Sequence, residues 1–378
     1  MKHKQSPAKI IVVGGGITGL SAAWVAKKAY PNSDLTLYEK QDRLGGWIQT
    51  SFEGGFLFEK GPRTFQASRS PHLLALIQEL GLPILRSVPS ASKRFLLHQG
   101  KLRSLGSLLP SFLPHLIREC FIPPKTSEEE SIYDFASRRF GPKLAEQFFD
   151  PLTLGVYAGD MRKLSIQACF PAFHQMEQEH GSIVKAFFYQ QTSGQKGLFT
   201  LPGGMQTLID TLREKLDCTF VLNTLVEKMD SHSIHIQGQR IEADLVINAL
   251  PPEVPKQSLW VVHVAYLGDV LKKKGFGYLI PTQEKENVLG VIFDSAIFPQ
   301  QNQRDETRLT AMVRAQEKNP LEATRDAFKR HLGLNQTPAF SSLFFAQDAI
   351  PQFFVGCKQF VGISVDACIQ RGKIIFDN

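Results

Sequence analysis

Lys9-Ile10-Ile11-Val12-Val13-Gly14-Gly15-Gly16-Ile17-Thr18-Gly19 opens the patterned part of the chain, with a short apolar strand run meeting a glycine cluster. A helical stretch from about Ile17 to Ala29 follows, with small Ala22, Ala23 and Ala26 on one side, and a second strand, Asp34–Tyr38, ends at Glu39. The pattern is GxGxxG between strand and helix, with an acid about 20 residues beyond the last glycine. Gly14 permits the tight turn, Gly16 lets a pyrophosphate approach the backbone, and Gly19 lets helix and sheet pack closely. The N-terminal amides of the helix favour phosphate, and Glu39 can accept ribose hydroxyls. Glycine clusters alone are often only flexible turns. Strand, helix and acid together point to a dinucleotide.

The rest of the composition bounds the chain. It has 378 residues, 43% hydrophobic and 21% charged, enough to bury a large core and too apolar for general disorder. No apolar run reaches the roughly 18 residues of a spanning helix. The basic start, Met1 to Pro7, is followed by an apolar stretch that breaks at the glycines, so it is expected to be a buried strand and not a signal peptide. Cys120, Cys169, Cys218, Cys357 and Cys368 are scattered without a CxxC pair. Reduced thiols, a cytoplasmic setting and no metal site are expected. His98, His115, His263 and His331 lack ligand spacing and are expected to be structural.

The net charge of +7 is concentrated. Arg86, Lys93, Arg94, Lys101, Arg103, Arg118 and Lys125 are opposed in their window only by Glu119. Leu105, Leu108, Leu109, Phe112, Leu113, Leu116, Ile117 and Phe121 there recur at helical spacing. Pro110 and Pro114 predict short or kinked helices. Two readings stay open: a helix pair with a solvated basic face, or a peripheral foot on an anionic membrane, where each cation contributes about 1 kcal/mol. Nucleic acid is not expected, because the stripe is aliphatic and no stacking aromatics alternate with the cations.

Beyond Glu39 stand Arg43-Leu44-Gly45-Gly46-Trp47 and Gly54-Gly55-Phe56-Leu57-Phe58-Glu59-Lys60-Gly61-Pro62-Arg63. A simple nicotinamide fold has no need of the second glycine pair. Together these segments resemble the FAD fingerprint and flavin hairpin of the glutathione-reductase-like flavoproteins. Further along, Ser127 to Glu130 reads as a capping box for a helix ending at Phe140. Helices are also expected at 71–81, 205–216, 320–332 and 364–373, and strands near 219–222, 233–237 and 244–248, with an antiparallel sheet between Leu259 and Arg314.

Most of the chain resembles the oxygen-dependent protoporphyrinogen oxidase family. The resemblance rests on Arg43 to Trp47, Gly61-Pro62-Arg63, Lys93-Arg94-Phe95-Leu96, Gly155-Val156-Tyr157-Ala158-Gly159-Asp160, Lys163-Leu164-Ser165, Gly275 to Tyr278, Leu289 to Ser295 and Gly362 to Gly372. It implies oxidation of protoporphyrinogen IX to protoporphyrin IX by bound FAD, in three two-electron steps reoxidised by oxygen to hydrogen peroxide. It also implies that Gly14, Gly15, Gly16, Ile17, Thr18, Gly19, Glu39, Arg43 and Gly46 hold the FAD phosphates and ribose. Trp47, Gly61, Pro62, Arg63 and Thr64 would line the flavin, Val226 would meet the adenine, and Ile363-Ser364-Val365 would open the last helix against the flavin. Arg94 would pair with a substrate propionate and Gly155 would offer a carbonyl to pyrrole N–H groups. On the residues alone, Arg94 fits the solvated basic face as well, and Gly155 an ordinary turn.

The implied architecture is α/β: a discontinuous FAD-binding Rossmann domain (1–85, 200–255 and 350–378) with two inserts. These are a helical, membrane-facing, substrate-cavity region (86–199) and an antiparallel substrate sheet (256–349). A homodimer and a place on the inner face of the membrane are compatible with the resemblance. Two departures stand out. The chain lacks a segment that relatives carry between Pro252 and Trp260, and most of another between Gln352 and Val361, including a small-residue strand before the final helix. Alternatives are therefore coproporphyrinogen III oxidation, a flavin amine oxidase, or a degenerate flavoprotein scaffold without activity.

Overall fold

The structure is a computed structural model describing residues 7–125, 129–189, 197–356 and 364–377. Its first sheet is parallel. Lys9–Val13 lies between Leu245–Asn248 and Asp34–Tyr38, and Thr219–Val221 pairs on the far side of the latter. Ile10, Ile11 and Val12 are fully buried, which is why the strand is apolar on both faces rather than alternating. Among the described residues no strand pairs with the outer edge of Leu245–Asn248. The helix Ile17–Ala29 packs against the last helix, Val365–Asp377. A Cβ at Gly372 would come within 2.5 Å of the Thr18 carbonyl oxygen, so close contact needs glycine there.

The second sheet has the strand order Phe340–Pro351, Lys256–Leu267, Glu306–Arg314, Val288–Ile292, Gly277–Leu279, Arg94–His98, Lys101–Ser104. Neighbours are antiparallel except Gly277–Leu279 with Arg94–Leu96, which are parallel. Val262, Val264 and Tyr266 alternate onto one face with Phe95 and Leu97, under the helix Pro320–Leu332. Leu259, Val261 and His263 take the other face.

Three expectations need correction. Arg94–Ser104, expected in the helical insert, forms a hairpin of this sheet; Phe95, Leu96 and Leu97 are buried on both faces, so the strand carries no period-two alternation to mark it in the sequence. Ser131, not Ser127, caps the helix Ile132–Phe140, its Oγ accepting the Asp134 N–H at 3.0 Å; Ser127 lies outside the described residues. The stretch with Pro110 and Pro114 is one helix, Leu105–Glu119. Both prolines sit on its exposed side, so the carbonyls they leave unbonded face water.

That helix is clamped from inside the helical region. Arg139 is fully buried and donates to Glu119 (Nε, 2.7 Å), Glu177 (3.2 Å) and the carbonyls of Ile122 and Gly181 (both 2.9 Å). Glu119 also accepts the N–H groups of Ile183 and Val184, opening the helix Ile183–Tyr189.

Candidate flavin and substrate site

The glycine loops form a cradle whose shape excludes side chains. Gly14 has φ +108° and donates its N–H to the Tyr38 carbonyl at 2.8 Å. A Cβ at Gly19 would stand 1.9 Å from the Gly14 oxygen, which no side chain survives. Gly16 bridges to Gly45, and Gly45 N–H bonds the Gly15 carbonyl at 2.8 Å, so the two glycine segments lie against each other. In front of Gly16 the space is open: a Cβ there would meet only the Gly46 Cα, at 4.0 Å. The helix starting at Ile17 has no side-chain cap, which leaves Ile17 and Thr18 at a free N-terminus beside that opening. Glu39 stands at the loop tip, accepting the N–H groups of Gly15 (2.6 Å) and Gln41 (2.9 Å). Asn223 and Thr224 bond the carbonyls of Gln41 and Glu39, which brings Val226 beside the acid and into the cluster of Ile11 and Val13.

Arg43 is spent on the loop itself. It donates to the carbonyls of Leu44 (3.0 Å), Ile48 (3.2 Å) and Gly46, so it shapes the Gly45-Gly46 turn. Burial lowers its pKa, opposed by Asp42 and Glu39. Trp47 is 44% exposed, and its carbonyl crosses Gly61, where a Cβ would stand 1.8 Å away. Pro62, Arg63 and Thr64 follow, half-buried. Ser364 caps the last helix by accepting the Ala367 N–H at 3.1 Å, with Val365 against the core; Ile363 lies outside the described residues.

Arg94 lies on the sheet face shared with Leu259, Val261 and His263. The register places Arg94, Gly277, Ile292, Thr310 and His263 in one row across the strands. Its guanidinium stacks on Phe276 at 4.4 Å and donates to the Ala91 carbonyl at 3.3 Å, with no carboxylate partner among the described residues. Burial lowers its pKa. Gly155 sits on the helix Asp150–Tyr157, where a Cβ would strike Leu279 at 2.4 Å. Both predicted substrate residues thus meet the strand Gly277–Leu279.

The opening at Gly16 and the uncapped helix fit a dinucleotide phosphate, and residues 17–332 match the family of flavin containing amine oxidoreductases. The chain belongs to that family. Protoporphyrinogen oxidases from Bos taurus and Homo sapiens are each 30% identical to it over 461 aligned positions, covering 96% of both chains. These positions outnumber the residues of this chain, so the relatives carry residues that face gaps here. Coproporphyrinogen III oxidase of Bacillus subtilis is 26% identical, also with 96% coverage of each. A crystal structure from Exiguobacterium sp. 255-15 superposes with a TM-score of 0.82 at 21% identity, covering 98% of each chain. Reduced UDP-galactopyranose mutase gives 0.75 at 16%, covering 98% of this chain and 95% of that one. This is the mixed α/β fold of the FAD-binding amine oxidases, and the cofactor of this flavoprotein is FAD.

In this flavin amine oxidoreductase the structure adds a polar cluster that sequence reading missed. Arg63 donates to Asp294 at 2.6 Å and to the Glu59 carbonyl at 3.3 Å. The other Asp294 oxygen accepts from Thr310 at 2.7 Å, and Thr310 meets His263 Nδ1 at 3.0 Å. With the Thr310 proton on Asp294, His263 donates from Nδ1, leaving Nε2 a buried acceptor without a partner among the described residues. Burial, with Arg63 and Lys60, holds the imidazole near pKa 3, so it stays neutral. Burial pushes the Glu59 carboxyl up to about 7, against the Met205 N–H, Thr50 and Arg63. The sequence offered Glu59 and Arg63 in one segment, Asp294 in another and His263 as structural, with nothing to join them.

Proposed function

We propose that the chain oxidises protoporphyrinogen IX to protoporphyrin IX, with oxygen as terminal acceptor and hydrogen peroxide as product. The supporting observation is Arg94: half-buried and without an acidic partner among the described residues, on a sheet face where Thr310 and His263 share its row and Leu96, Leu259, Val261, Leu279, Met312 and Phe344 add apolar surface. FAD supplies the two-electron acceptor when bound. The chain's own residues need only bind, orient and exclude water, because loss of hydride from a bridging carbon brings the substrate aromatic conjugation.

The same face argues for protoporphyrinogen over coproporphyrinogen. The former has two propionates and the latter four. Along this face Arg63 is paired with Asp294, Lys60 with Glu53 and Arg308 with Glu306, which leaves Arg94 and Arg314 without an ion pair among the described residues. Four propionates would want more free cations than this. Gly155 on its helix reaches the strand next to Arg94 and supports the macrocycle reading through its backbone carbonyl.

A peripheral membrane foot completes the proposal. Leu109, Leu113 and Ile117 are about half exposed, and Phe121 (80%), Phe187 and Phe188 (84%) stand out beside them, with Arg103 and Arg118 at the rim. Contact of the helices Leu105–Glu119 and Ile183–Tyr189 joins these side chains into one apolar face. Among the described residues no helix is long and apolar enough to cross a membrane. A cytoplasmic enzyme resting on the inner leaflet would take an apolar substrate from it.

Turnover with each porphyrinogen on protein of matched flavin content tests the reaction. Faster formation of protoporphyrin than of coproporphyrin is expected. The reverse ratio would assign the coproporphyrinogen reaction, and an FAD-free protein inert to both would leave only a scaffold.

A further inference from the structure

The far face of the seven-stranded sheet, away from the flavin elements, has a pocket of about 620 Å³ that the redox reading does not use. It opens between the helix Pro320–Leu332, the loop after it, and the strands Lys256–Leu267 and Phe340–Pro351. Its volume falls within the roughly 300–1,000 Å³ of small-molecule sites. Tyr266 lies at its base and is 2% exposed, yet its hydroxyl makes no hydrogen bond among the described residues. Arg325 lines the same pocket, and its charge opposes the rise that burial gives the pKa of that hydroxyl.

The walls separate by chemistry. Lys318, Arg325 and Lys329 are exposed at the mouth, and none forms an ion pair among the described residues, although Glu322 and Asp326 share the same helix face. Asn319 makes no side-chain cap and Pro320 has no N–H, so the amides of Leu321 and Glu322 are the ones that open toward the same end as Lys318. Leu334 and Leu343 supply apolar contact opposite. Unpaired cations beside free helix amides suit a phosphate. The two carboxylates suit neighbouring hydroxyl donors, as a sugar provides.

We infer that this pocket binds a phosphorylated sugar, free or as a nucleoside monophosphate, with its phosphate between Lys318, Arg325 and the helix N-terminus and its body against Tyr266. The site is separate from the flavin cradle of residues 14–64, and it does not depend on the porphyrinogen reading.

Calorimetry on FAD-saturated full-length protein tests it with uridine monophosphate, ribose 5-phosphate and uridine. Saturable binding is expected for the two phosphates, and uridine should bind at least 10-fold more weakly (roughly one lost charge-assisted contact). Arg325→Ala and Lys318→Ala are surface changes that leave the fold intact, and each should weaken binding roughly 10-fold or more. Tyr266→Phe should weaken it by less, at an unchanged melting temperature. Absence of saturable binding by both phosphates overturns the assignment. So does an equal Kd in wild type and Arg325→Ala, and so does binding that appears only after FAD is removed, which would place the probe in the flavin cradle.

Discussion

Two arginines, buried Arg139 in the helical region and half-buried Arg63 after the hairpin Thr50–Glu59, differ in how completely their surroundings answer them. Arg139 meets two carboxylates and two carbonyls, and the carboxylate of Glu119 is in turn filled by N–H groups. The Arg63 cluster is left open at His263 Nε2, which has no partner among the described residues, while the Glu59 carboxyl, bonded by Thr50 and Met205, is moved by burial to about pKa 7. A closed network holds one geometry. An open one responds to pH and to what binds beside it.

The largest expected effect is therefore at the closed cluster. Arg139→Ala strands Glu119 in the interior, while Glu177 keeps Arg138, and should cost about 3–5 kcal/mol in denaturant unfolding. It should also loosen the exposed helix, so vesicle flotation of the folded fraction should fall. Equal stability of variant and wild type would break the comparison.

At the open cluster the effect follows pH. The Glu59 pKa is raised in the folded state, from 4.5 to about 7, so its contribution is complete below about pH 4.5 and is lost as pH rises to about 7. The loss amounts to about 3 kcal/mol. Glu59→Gln should remove that slope from a plot of unfolding free energy against pH. The same slope in both proteins would deny Glu59 its part.

Arg94 ends the row that runs from His263. A charge-assisted pair with a propionate should contribute about 1.5–3 kcal/mol, so Arg94→Ala should raise KM roughly 10- to 150-fold. The kcat should change little, since the pair holds substrate before and during hydride loss. Arg94→Lys should recover only part of the affinity, for want of the guanidinium fork. Unchanged kcat/KM would return Arg94 to the solvated surface.

The smallest effect belongs to the foot. High salt shortens screening to roughly 3 Å at 1 M, and should weaken binding to anionic vesicles while leaving an apolar remainder that Phe121→Asp reduces. Equal binding to neutral and anionic vesicles would remove Arg103 and Arg118 from the foot.

The parallel sheet and its glycine cradle were legible because their determinants are local. Lys9–Val13, the glycines and Glu39 lie within one short βαβ stretch, and steric need for glycine is written in the residue itself. The helices 320–332 and 205–216 were legible from periodicity in the same way. The helix Leu105–Glu119 runs through Pro110 and Pro114 as one element rather than short pieces, with both prolines on its solvent side.

From sequence alone came the dinucleotide loop, its acid and the family resemblance, since each is carried by neighbours in the chain. Tertiary structure alone decided that Arg94 joins the sheet, that Ser131 rather than Ser127 caps its helix, and that Arg63 finds Asp294 from 231 residues away. It also decided which acids stay paired and which, like Glu59, shift. Burial and the partner of a charge are set by whatever the fold brings alongside it, and no pattern of neighbours along the chain encodes that distance.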